Sequence, residues 1–338
     1  MKFGAVPLEQ AEGKILGHNI AGADGKRALR KGRPLAAADL AMLRSLGRGL
    51  VYVAEMSPDD VHEDRAARRV AEAVMGDGLH LSGPSSGRAN LLASAPGLLR
   101  IDHEAVTRIN DCEGITLATV LPDFVRTRQI VATVKIIPFA VPEEQVGRAE
   151  AIAAASRPAI RVEALEPQPV GLILDGSASI RERLTIDFAP LVERVEALGS
   201  RVTCTEYVSV DGDDAEEELS RTIQGIRQTG VSLIILAGET AIMDRHDIAP
   251  RAVERAGGRI ESLGAPVDPG NLLMLAYLDD LPVMGAPGCA RSRKPNVIDW
   301  MLPRLLAGDR LSRADISALG YGGLLDDIPE RRQPREER

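Results

Sequence analysis

Apolar stretches that break off at glycine or at polar residues recur through the second half of the chain. Residues 231–237 are mostly apolar and predict a buried strand, and Gly238 then opens a turn. A helix is predicted to begin at Asp247, and the same order of strand, loop and helix is predicted for 170–198 and 202–229. Strands that alternate with helices predict an α/β domain with a mostly parallel sheet that is covered on both faces.

Shorter and more mixed elements are predicted for the first half. Leu40, Leu43 and Leu46 share one side of a helix predicted over 36–46, which Gly47 ends. The remaining elements predicted here are a short strand over 50–53, helices over 59–74, 102–110 and 143–156, and strands over 115–121 and 130–139. We therefore expect a mixed α+β domain over 1–160, an α/β domain over 166–325 and a charged, disordered tail over 326–338.

Composition narrows the classes of function. Only 3% of the 338 residues are aromatic and the net charge is −8, which disfavours nucleic-acid binding. Cys112, Cys204 and Cys289 are far apart and odd in number, so they predict neither a disulfide framework nor a CxxC zinc site, and a reducing, cytoplasmic setting is expected. The sequence shows no membrane-spanning stretch and no secretory signal.

Polar residues suited to ligand binding collect in three loops that follow predicted strands, at 175–183, 238–247 and 286–294. In an open α/β sheet such loops meet at the carboxyl ends of the strands, where ligands bind. The acids of the second loop, Glu239, Asp244 and Asp247, suit N–H donors, sugar hydroxyls or a divalent cation. The basic residues of the first and third loops suit phosphate, and they are Arg181, Arg183, Arg291, Arg293 and Lys294. Together the loops predict a ligand with a polar heterocycle at one end and a phosphate at the other.

Simpler structural roles stay open for several of these residues. Asp247 is placed to cap the helix that follows it, because its side chain can accept the free N–H groups. His246 suits a surface position, and Cys289 suits a small residue packed under its loop. The pairs Pro269-Gly270 and Pro287-Gly288 are turn formers.

The segment 81–93, rich in glycine, serine and proline at its start, predicts either a polar turn or a loop that closes over a ligand. Signatures of common nucleotide and hydrolytic sites are missing from the sequence: GxxxxGK[ST], GxGxxG after a first strand, HExxH and GxSxG. The usual nucleotide, zinc-protease and hydrolase interpretations therefore lack support.

Several segments match one known family. They are LIILAGETAIMDRHD from Leu233, IAPRAVERAGGRIESLGAPVDPG from Ile248 and LPVMGAPGCARS from Leu281. From Pro169 to about Gly308 the chain resembles the molybdopterin-binding domain shared by molybdopterin molybdotransferases, molybdopterin adenylyltransferases and CinA-like proteins. The first half is more weakly similar to the framework of the molybdotransferase, through PLEQAEGKIL and RKGRPLAAADLAMLRSLGRGLVYVAE.

This resemblance implies a three-layer α/β/α domain that holds the pterin dithiolene and phosphate of molybdopterin, free or adenylated. Asp244 and Asp247 match acids of the family's ligand loop and are implied to be catalytic. Together with Glu239 they are also implied to bind Mg²⁺ beside molybdate. The implied cofactor-binding residues are Asp175, Gly176, Ser177, Gly238, Glu239, Thr240, Pro269, Gly270, Pro287, Gly288, Ser292 and Lys294.

The chain departs from the family at three places. Glu239 stands where a second glycine is usual, Cys289-Ala290 replaces Asn-Pro, and the first loop reads DGSAS from Asp175 where relatives have a TGDE- or TSD-like motif. These departures leave pterin binding intact as an expectation and weaken the case for metal insertion or adenylyl transfer.

The resemblance and these departures are compatible with three functions. The first is a molybdotransferase-like enzyme that inserts molybdate, the second is a non-catalytic module that carries molybdopterin, and the third is a CinA-like nucleotide pyrophosphatase. The first two belong to molybdenum cofactor biosynthesis or delivery, with a molybdenum enzyme or its maturation factor as a partner. The family also implies a homo-oligomer, as a dimer or trimer.

Overall fold

The computed structural model describes residues 1–156 and 158–325. The chain divides into two compact units, Met1–Ala164 and Leu165–Arg338. The predicted charged tail, 326–338, lies outside the described residues. Within the described ranges, no helix has the length and apolar composition that crossing a membrane requires.

The first unit opens with a small antiparallel sheet and a hairpin. Its elements are β1 (Lys2–Pro7), a 3-10 helix (Leu8–Gln10), β2 (Ile15–Leu16), β3 (Ile20–Ala21), β4 (Arg27–Leu29), α1 (Ala37–Ser45) and β5 (Leu50–Glu55). Strand β5 lies between β1 and β2, and β3 pairs with β4. Leu40 and Leu43 of α1 are buried in the small core of this part, as their helical spacing predicts, whereas Leu46 is only half-buried.

The rest of the first unit is a larger mixed arrangement. Its elements are β6 (Asp60–His62), α2 (Glu63–Val74), β7 (Leu79–Leu81), β8 (Arg88–Ala93), β9 (Gly97–Ile101), α3 (His103–Asn110), β10 (Ile115–Thr119), β11 (Phe124–Val125), β12 (Ile130–Ile136), β13 (Ala140–Pro142), α4 (Glu143–Ser156) and β14 (Ile160–Glu163). The strands form the sheets β10-β12-β8-β7, β11-β9-β14 and β13-β6. Apolar residues of α2 and α4 share one core with β8 and β12.

Two local predictions for this unit need correction. The helix predicted over 59–74 begins only at Glu63, because Asp60–His62 pairs with Ala140–Pro142 as a strand. The segment 81–93 is mostly a hairpin rather than a loop, since Arg88–Ala93 is a strand. Its tip is tied to the same unit, because Gly87 N donates to Asp64 Oδ1 at 2.7 Å, and this favours the polar turn over a ligand lid.

The second unit alternates strands and helices. Its elements are β15 (Pro169–Gly176), a 3-10 helix (Ala178–Ile180), α5 (Arg181–Asp187), α6 (Ala189–Ala197), β16 (Arg201–Ser209), α7 (Ala215–Arg227), β17 (Leu233–Gly238), α8 (Ile248–Arg255), β18 (Arg259–Leu263), β19 (Met274–Leu278), β20 (Leu281–Gly285), a 3-10 helix (Gly288–Arg291), α9 (Val297–Leu306) and α10 (Arg313–Ala318). The short helix α10 was not expected from the sequence.

These strands form one sheet in the order β16-β15-β17-β20-β19-β18. Strands β16, β15, β17 and β20 are parallel, and β19 is antiparallel to both of its neighbours. The prediction of an α/β unit with a mostly parallel sheet is confirmed. Alternate residues of β15 point to opposite faces, so that Leu172 packs with α6 and α9 while Ile173 packs with α7 and α8. Helices therefore cover both faces, which explains why the central strands are apolar throughout.

The helix predicted over 186–198 is α6, which begins only at Ala189. The loop predicted over 175–183 ends early, because a separate helix, α5, begins at Arg181 and meets α6 at Phe188. Pro190 has no N–H to continue the hydrogen bonding of a preceding turn, so the first helix ends and a new one begins there. Phe188 is almost fully buried at the break and belongs to the core on that face of the sheet.

The order of strands creates a crevice at one edge of the sheet. From β15 the chain passes to β16 on one side and then to β17 on the other side of β15. The loops that leave β15 and β17 therefore run in opposite directions, and open α/β sheets bind their ligands at such a point, outside the carboxyl ends of the strands.

Candidate functional site

A cavity of about 110 Å³ lies at this crevice, where β15 and β17 end and α8 begins. Its lining residues are Asp175, Val210, Leu236, Gly238, Thr240, Ala241, Ile242, Asp247, Ile248 and Ala249. Four residues proposed from the sequence, Asp175, Gly238, Thr240 and Asp247, are thus brought together. The apolar lining residues were not singled out, because buried apolar side chains at strand and helix ends carry no signal that separates a cavity wall from ordinary core.

Asp175, near the end of β15, is the most unusual polar group of the site. The residue is only 9% exposed, and none of the described residues donates a hydrogen bond to its carboxylate. Burial raises the pKa of Asp175 to about 6, and repulsion from the nearby Glu239 carboxylate adds to the rise. A buried acceptor that faces a cavity without a donor suits a ligand that supplies N–H or O–H groups.

Glycines at the ends of β15 and β17 make room for these carboxylates. A Cβ added to Gly238 would lie 2.7 Å from Asp175 Oδ1, closer than van der Waals contact allows. A Cβ on Gly176 would lie 2.8 Å from Leu184 Cδ1 and 3.0 Å from Glu239 Cβ. Gly176 and Gly238 are therefore required by close approach rather than by an unusual φ.

Glu239 and Ser177 join the loops that follow β17 and β15. Ser177 N donates to Glu239 Oε2 at 2.7 Å, which ties the loop after β15 to the loop after β17. Glu239 is thus engaged with the backbone and does not line the cavity. The glutamate in place of a glycine joins two loops, a role that the sequence did not suggest.

The helix-cap hypothesis for Asp247 is wrong. Asp247 precedes α8, yet its side chain makes no cap hydrogen bond to that helix. Its Oδ2 instead accepts hydrogen bonds from Met243 N at 2.6 Å and Asp244 N at 2.9 Å. The loop turns back on itself before α8, so its own N–H groups reach the carboxylate.

Asp244 lies in the same loop but is exposed and does not line the cavity. Its Oδ1 accepts a hydrogen bond from His246 N at 2.9 Å and lies 2.5 Å from His246 Nδ1. These contacts with His246 lower the pKa of Asp244 below its usual range. His246 is a surface residue, as its position in the sequence suggests.

The carboxylates do not gather into a cation site. Among residues 1–156 and 158–325, no group of three or more His, Cys, Asp or Glu side chains is placed to hold a metal ion. Glu239 and Asp247 each accept backbone N–H groups, and Asp244 contacts His246. This donor set does not fit the protein-held Mg²⁺ that the family resemblance implies.

The two Pro-Gly pairs lie away from the cavity lining. Gly270 is buried against α9, with φ at +139°, and Pro269 O accepts a hydrogen bond from Val297 N at 3.2 Å. Pro287 and Gly288 follow β20 and start a 3-10 helix. The first pair therefore packs a loop against a helix, and the second positions the segment that carries Arg291.

Ser292 and Lys294 form the turn after that 3-10 helix, where Lys294 N donates to Ser292 Oγ at 3.1 Å. Neither residue lines the cavity. Cys289, in the 3-10 helix, is half-buried, and burial raises the pKa of its thiol, which agrees with a packing residue rather than a reactive nucleophile.

Arg291 connects the third loop to the end of β17. Its guanidinium donates to Gly238 O at 2.8 Å and to Glu239 O at 3.0 Å, and it lies 4.9 Å from the centre of the Phe188 ring. Its Nε is a buried donor that finds no partner among residues 1–156 and 158–325. The sequence suggested a phosphate ligand here, but the side chain instead holds the backbone beside the cavity.

Arg291→Ala is expected to lower the free energy of unfolding of the second unit by about 1–3 kcal/mol, because two carbonyl groups lose a charged donor and the packing on Phe188 is lost. Arg293→Ala is the matched control, since Arg293 only pairs with exposed Glu193 and such pairs contribute about 0–1 kcal/mol. Chemical denaturation of both variants measures the difference. Equal stabilities would contradict the role assigned to Arg291.

A second, larger cavity of about 390 Å³ lies at the opposite, amino ends of β15 and β17. The polar groups that line it already pair with each other. Ser232 Oγ donates to Gln168 Oε1 at 2.6 Å, and Arg310 donates to Asp280 at 2.7 Å while it lies over the Tyr277 ring. Because ligands of open α/β sheets bind at the carboxyl ends of strands, the smaller cavity is the better candidate.

The family model described as "Domain of unknown function (DUF8806)" matches residues 5–55. No curated protein matches the chain. Among solved structures, the chain is similar to a molybdenum cofactor biosynthesis protein from Pyrococcus furiosus, with 13% identity, a TM-score of 0.26 and coverage of 91% of this chain and 64% of that one. It is also similar to a molybdopterin biosynthesis moea protein from Pyrococcus horikosii, with 12% identity, a TM-score of 0.31 and coverage of 91% and 75%. The chain therefore spans less than two thirds of the first protein. Both TM-scores lie below 0.5, so neither similarity indicates a function for this chain.

Proposed function

We propose that the second unit binds molybdopterin at the cavity between the carboxyl ends of β15 and β17, as a binding module in molybdenum cofactor biosynthesis or delivery. The observation that carries this proposal is the buried carboxylate of Asp175, which lines a cavity at the switch point of the sheet without a hydrogen-bond donor. The sequence resemblance of this unit to molybdopterin-binding domains supports the same ligand.

The cavity is too small to enclose the whole ligand, so only one edge of its ring system is proposed to enter. A cavity of about 150 Å³ is known to hold benzene, and the volume here is about 110 Å³. The lining contains two acids, Asp175 and Asp247, and no basic residue. A heterocycle that carries N–H groups is therefore favoured inside the cavity, and a phosphate is disfavoured there.

The phosphate of the ligand is assigned to the rim, beside Arg181. This guanidinium lies 5.0 Å from the centre of the Tyr207 ring, and the Tyr207 hydroxyl donates to Gly176 O at the end of β15 at 2.7 Å. Within the part of the chain that the structure describes, Arg181 has no ion pair. Arg183 and Arg293 each pair with a carboxylate, so they are less available to a phosphate.

The proposed role is binding rather than turnover. Molybdate insertion would treat molybdate as a substrate and needs a means of neutralising its charge, whereas the charged residues of the cavity lining are both acids. The residues do not fit a protein-held magnesium ion, so binding is proposed without a metal-dependent step. A molybdenum enzyme or its maturation factor as the recipient stays a prediction, as does the homo-oligomer, which light scattering of the dilute protein would test.

The test is the pterin content of the purified full chain, measured by fluorescence and mass spectrometry after oxidation to pterin derivatives. We expect near-stoichiometric pterin in the wild type and a loss of about 10-fold or more in Gly238→Ala, whose methyl group would crowd Asp175 Oδ1. Gly225→Ala in α7, where an added Cβ meets nothing within 4 Å, is the control and should retain pterin.

Two results would overturn the proposal. The first is a wild-type protein that holds no pterin and fails to bind molybdopterin when it is supplied. The second is release of AMP from dinucleotides without any pterin preference, which would identify a nucleotide pyrophosphatase instead.

A further inference from the structure

The carboxylates at the candidate site differ in what they already bind. Asp247 accepts two backbone N–H groups, and Glu239 accepts one from Ser177. Asp175, which is 9% exposed, accepts none from the described residues although it lines the cavity. Asp247 and Glu239 thus already accept hydrogen bonds from the backbone, whereas Asp175 keeps its acceptor capacity for a ligand.

The surroundings of Asp175 restrict which ligand atoms suit it. The lining contributes no basic side chain, and the Thr240 hydroxyl is its one side-chain O–H or N–H donor. Gly238 lets this carboxylate approach the end of β17, because a Cβ there would lie 2.7 Å from Asp175 Oδ1 and 3.1 Å from its Oδ2. Asp175 lines the cavity and accepts no hydrogen bond from the described residues, so its carboxylate is an acceptor that the lining offers to donor groups of a ligand.

A carboxylate that accepts two parallel hydrogen bonds matches a donor pair held in one plane, as in its pairing with arginine. The pterin ring presents such a pair at its N3–H and 2-amino groups. We propose that Asp175 recognises this 2-amino edge, so that the pterin enters the cavity edge first and heterocycles with an oxygen at position 2 are rejected. This inference rests on the proposed function and specifies how the same site selects its ligand.

The orientation agrees with the charges outside the cavity. With the 2-amino edge held by Asp175, the opposite side of the ring carries the chain that ends in phosphate toward the rim. Arg181 has no ion pair among the described residues. Its guanidinium lies 5.0 Å from the centre of the Tyr207 ring, and the Tyr207 hydroxyl donates to Gly176 O, next to Asp175. The reverse orientation would place a phosphate against two acids.

The experiment compares two fluorescent probes, pterin and lumazine, which differ in having an amino group or an oxygen at position 2. Titration of the full chain at pH 7.5 should give an affinity for pterin about 10-fold or more above that for lumazine, because a buried acceptor rejects an acceptor placed opposite it. Guanosine, which carries the same donor pair, should likewise bind more tightly than inosine, which lacks the amino group.

Asp175→Asn should lose most of this preference, because the asparagine amide can donate to the oxygen of lumazine. Asp213→Asn is the matched control, since Asp213 is exposed and does not line the cavity. Its ratio of pterin to lumazine affinity should equal that of the wild type.

The possible outcomes separate this inference from the proposed function. Equal affinity of the wild type for pterin and lumazine would overturn the role of Asp175 while pterin binding still stood. An unchanged preference in a folded Asp175→Asn protein would overturn it as well. If the wild type bound neither probe nor molybdopterin, the proposed function itself would fail. The wild-type comparison needs no variant, so poor folding of Asp175→Asn would not leave the question open.

Discussion

Asp175→Asn is expected to stabilise the second unit at neutral and alkaline pH, and to lose that advantage at pH 4. In the wild type, folding moves the Asp175 carboxyl into a site where burial, and then the Glu239 charge, raise its pKa from 3.8 to about 6. The native state therefore holds a proton that the unfolded state has released between these two values. Stability from this group is complete below about pH 4 and is lost as the pH rises through about 6.

The magnitude follows from the size of the rise in pKa. A pKa that moves from 3.8 to about 6 corresponds to about 3 kcal/mol between the pH limits. Asparagine removes the buried charge but leaves a buried amide without full hydrogen bonding, which costs about 1 kcal/mol. The net gain at pH 8 is then about 2 kcal/mol, or roughly 4–8 °C in the midpoint of thermal unfolding.

Thermal and urea unfolding of the wild type and Asp175→Asn at several pH values between 4 and 8 would measure this. The difference in the free energy of unfolding should grow by about 3 kcal/mol across that range. Asp213→Asn, which changes an exposed carboxylate of the same unit, should give a much smaller change. A constant difference between Asp175→Asn and the wild type at all pH values would show that Asp175 titrates normally in the folded chain.

A stabilising effect of this substitution would also bear on function. Binding sites commonly retain groups that cost stability because the ligand needs them. If Asp175→Asn gains stability and loses the preference for the 2-amino edge, the cost of the buried acid would be explained by ligand recognition. If it gains stability and keeps that preference, the carboxylate would need another explanation.

The sequence predicted those helices and strands whose own residues carry a clear apolar pattern. The apolar run 231–237 could only be a strand buried on both faces, and the strand β17 lies there. Val297 to Leu306 has a helical pattern between Asn296 and Gly308, and α9 occupies the same residues. The position of the candidate site followed from the rule that loops after parallel strands converge, which four lining residues satisfy.

The sequence did not predict contacts that join residues far apart in the chain. Asp247 had a free helix end after it, yet its carboxylate bonds the loop before it, because only the folded path of that loop brings Met243 N within reach. Arg291 and Gly238 are 53 positions apart, and nothing local indicates that one holds the carbonyl of the other. The strand at Asp60–His62 likewise depends on a partner strand at Ala140–Pro142.

The two Pro-Gly pairs also could not be told apart from the sequence. They are identical as dipeptides, and the family resemblance implied the same binding role for both. Gly270 is buried with φ at +139°, whereas Gly288 is exposed and an added Cβ would meet nothing within 4 Å. Proline and glycine specify a turn in both places. Only the packing of α9 against the first turn makes one of the glycines irreplaceable.

Gly270→Ala is expected to destabilise the second unit by about 3–5 kcal/mol, a substantial share of the stability of an ordinary domain. The added Cβ would lie 2.4 Å from Val297 Cβ and 3.1 Å from Val297 N, at the first turn of α9. It would also occupy a φ of +139°, which side chains other than glycine rarely adopt. Overlap and backbone strain therefore add, and α9 must shift or the loop must change conformation.

Gly288→Ala is the matched control, with an expected change within about 0.5 kcal/mol, because open space surrounds the added methyl group. Urea denaturation of both variants, followed by the single tryptophan at Trp300 in α9, reports on the helix that Gly270 contacts. A large loss in Gly270→Ala alone would assign this glycine to packing, since it lies outside the cavity lining. Comparable stability of the two variants would mean that the loop before β19 adapts freely, and the first Pro-Gly pair would return to consideration as a ligand contact.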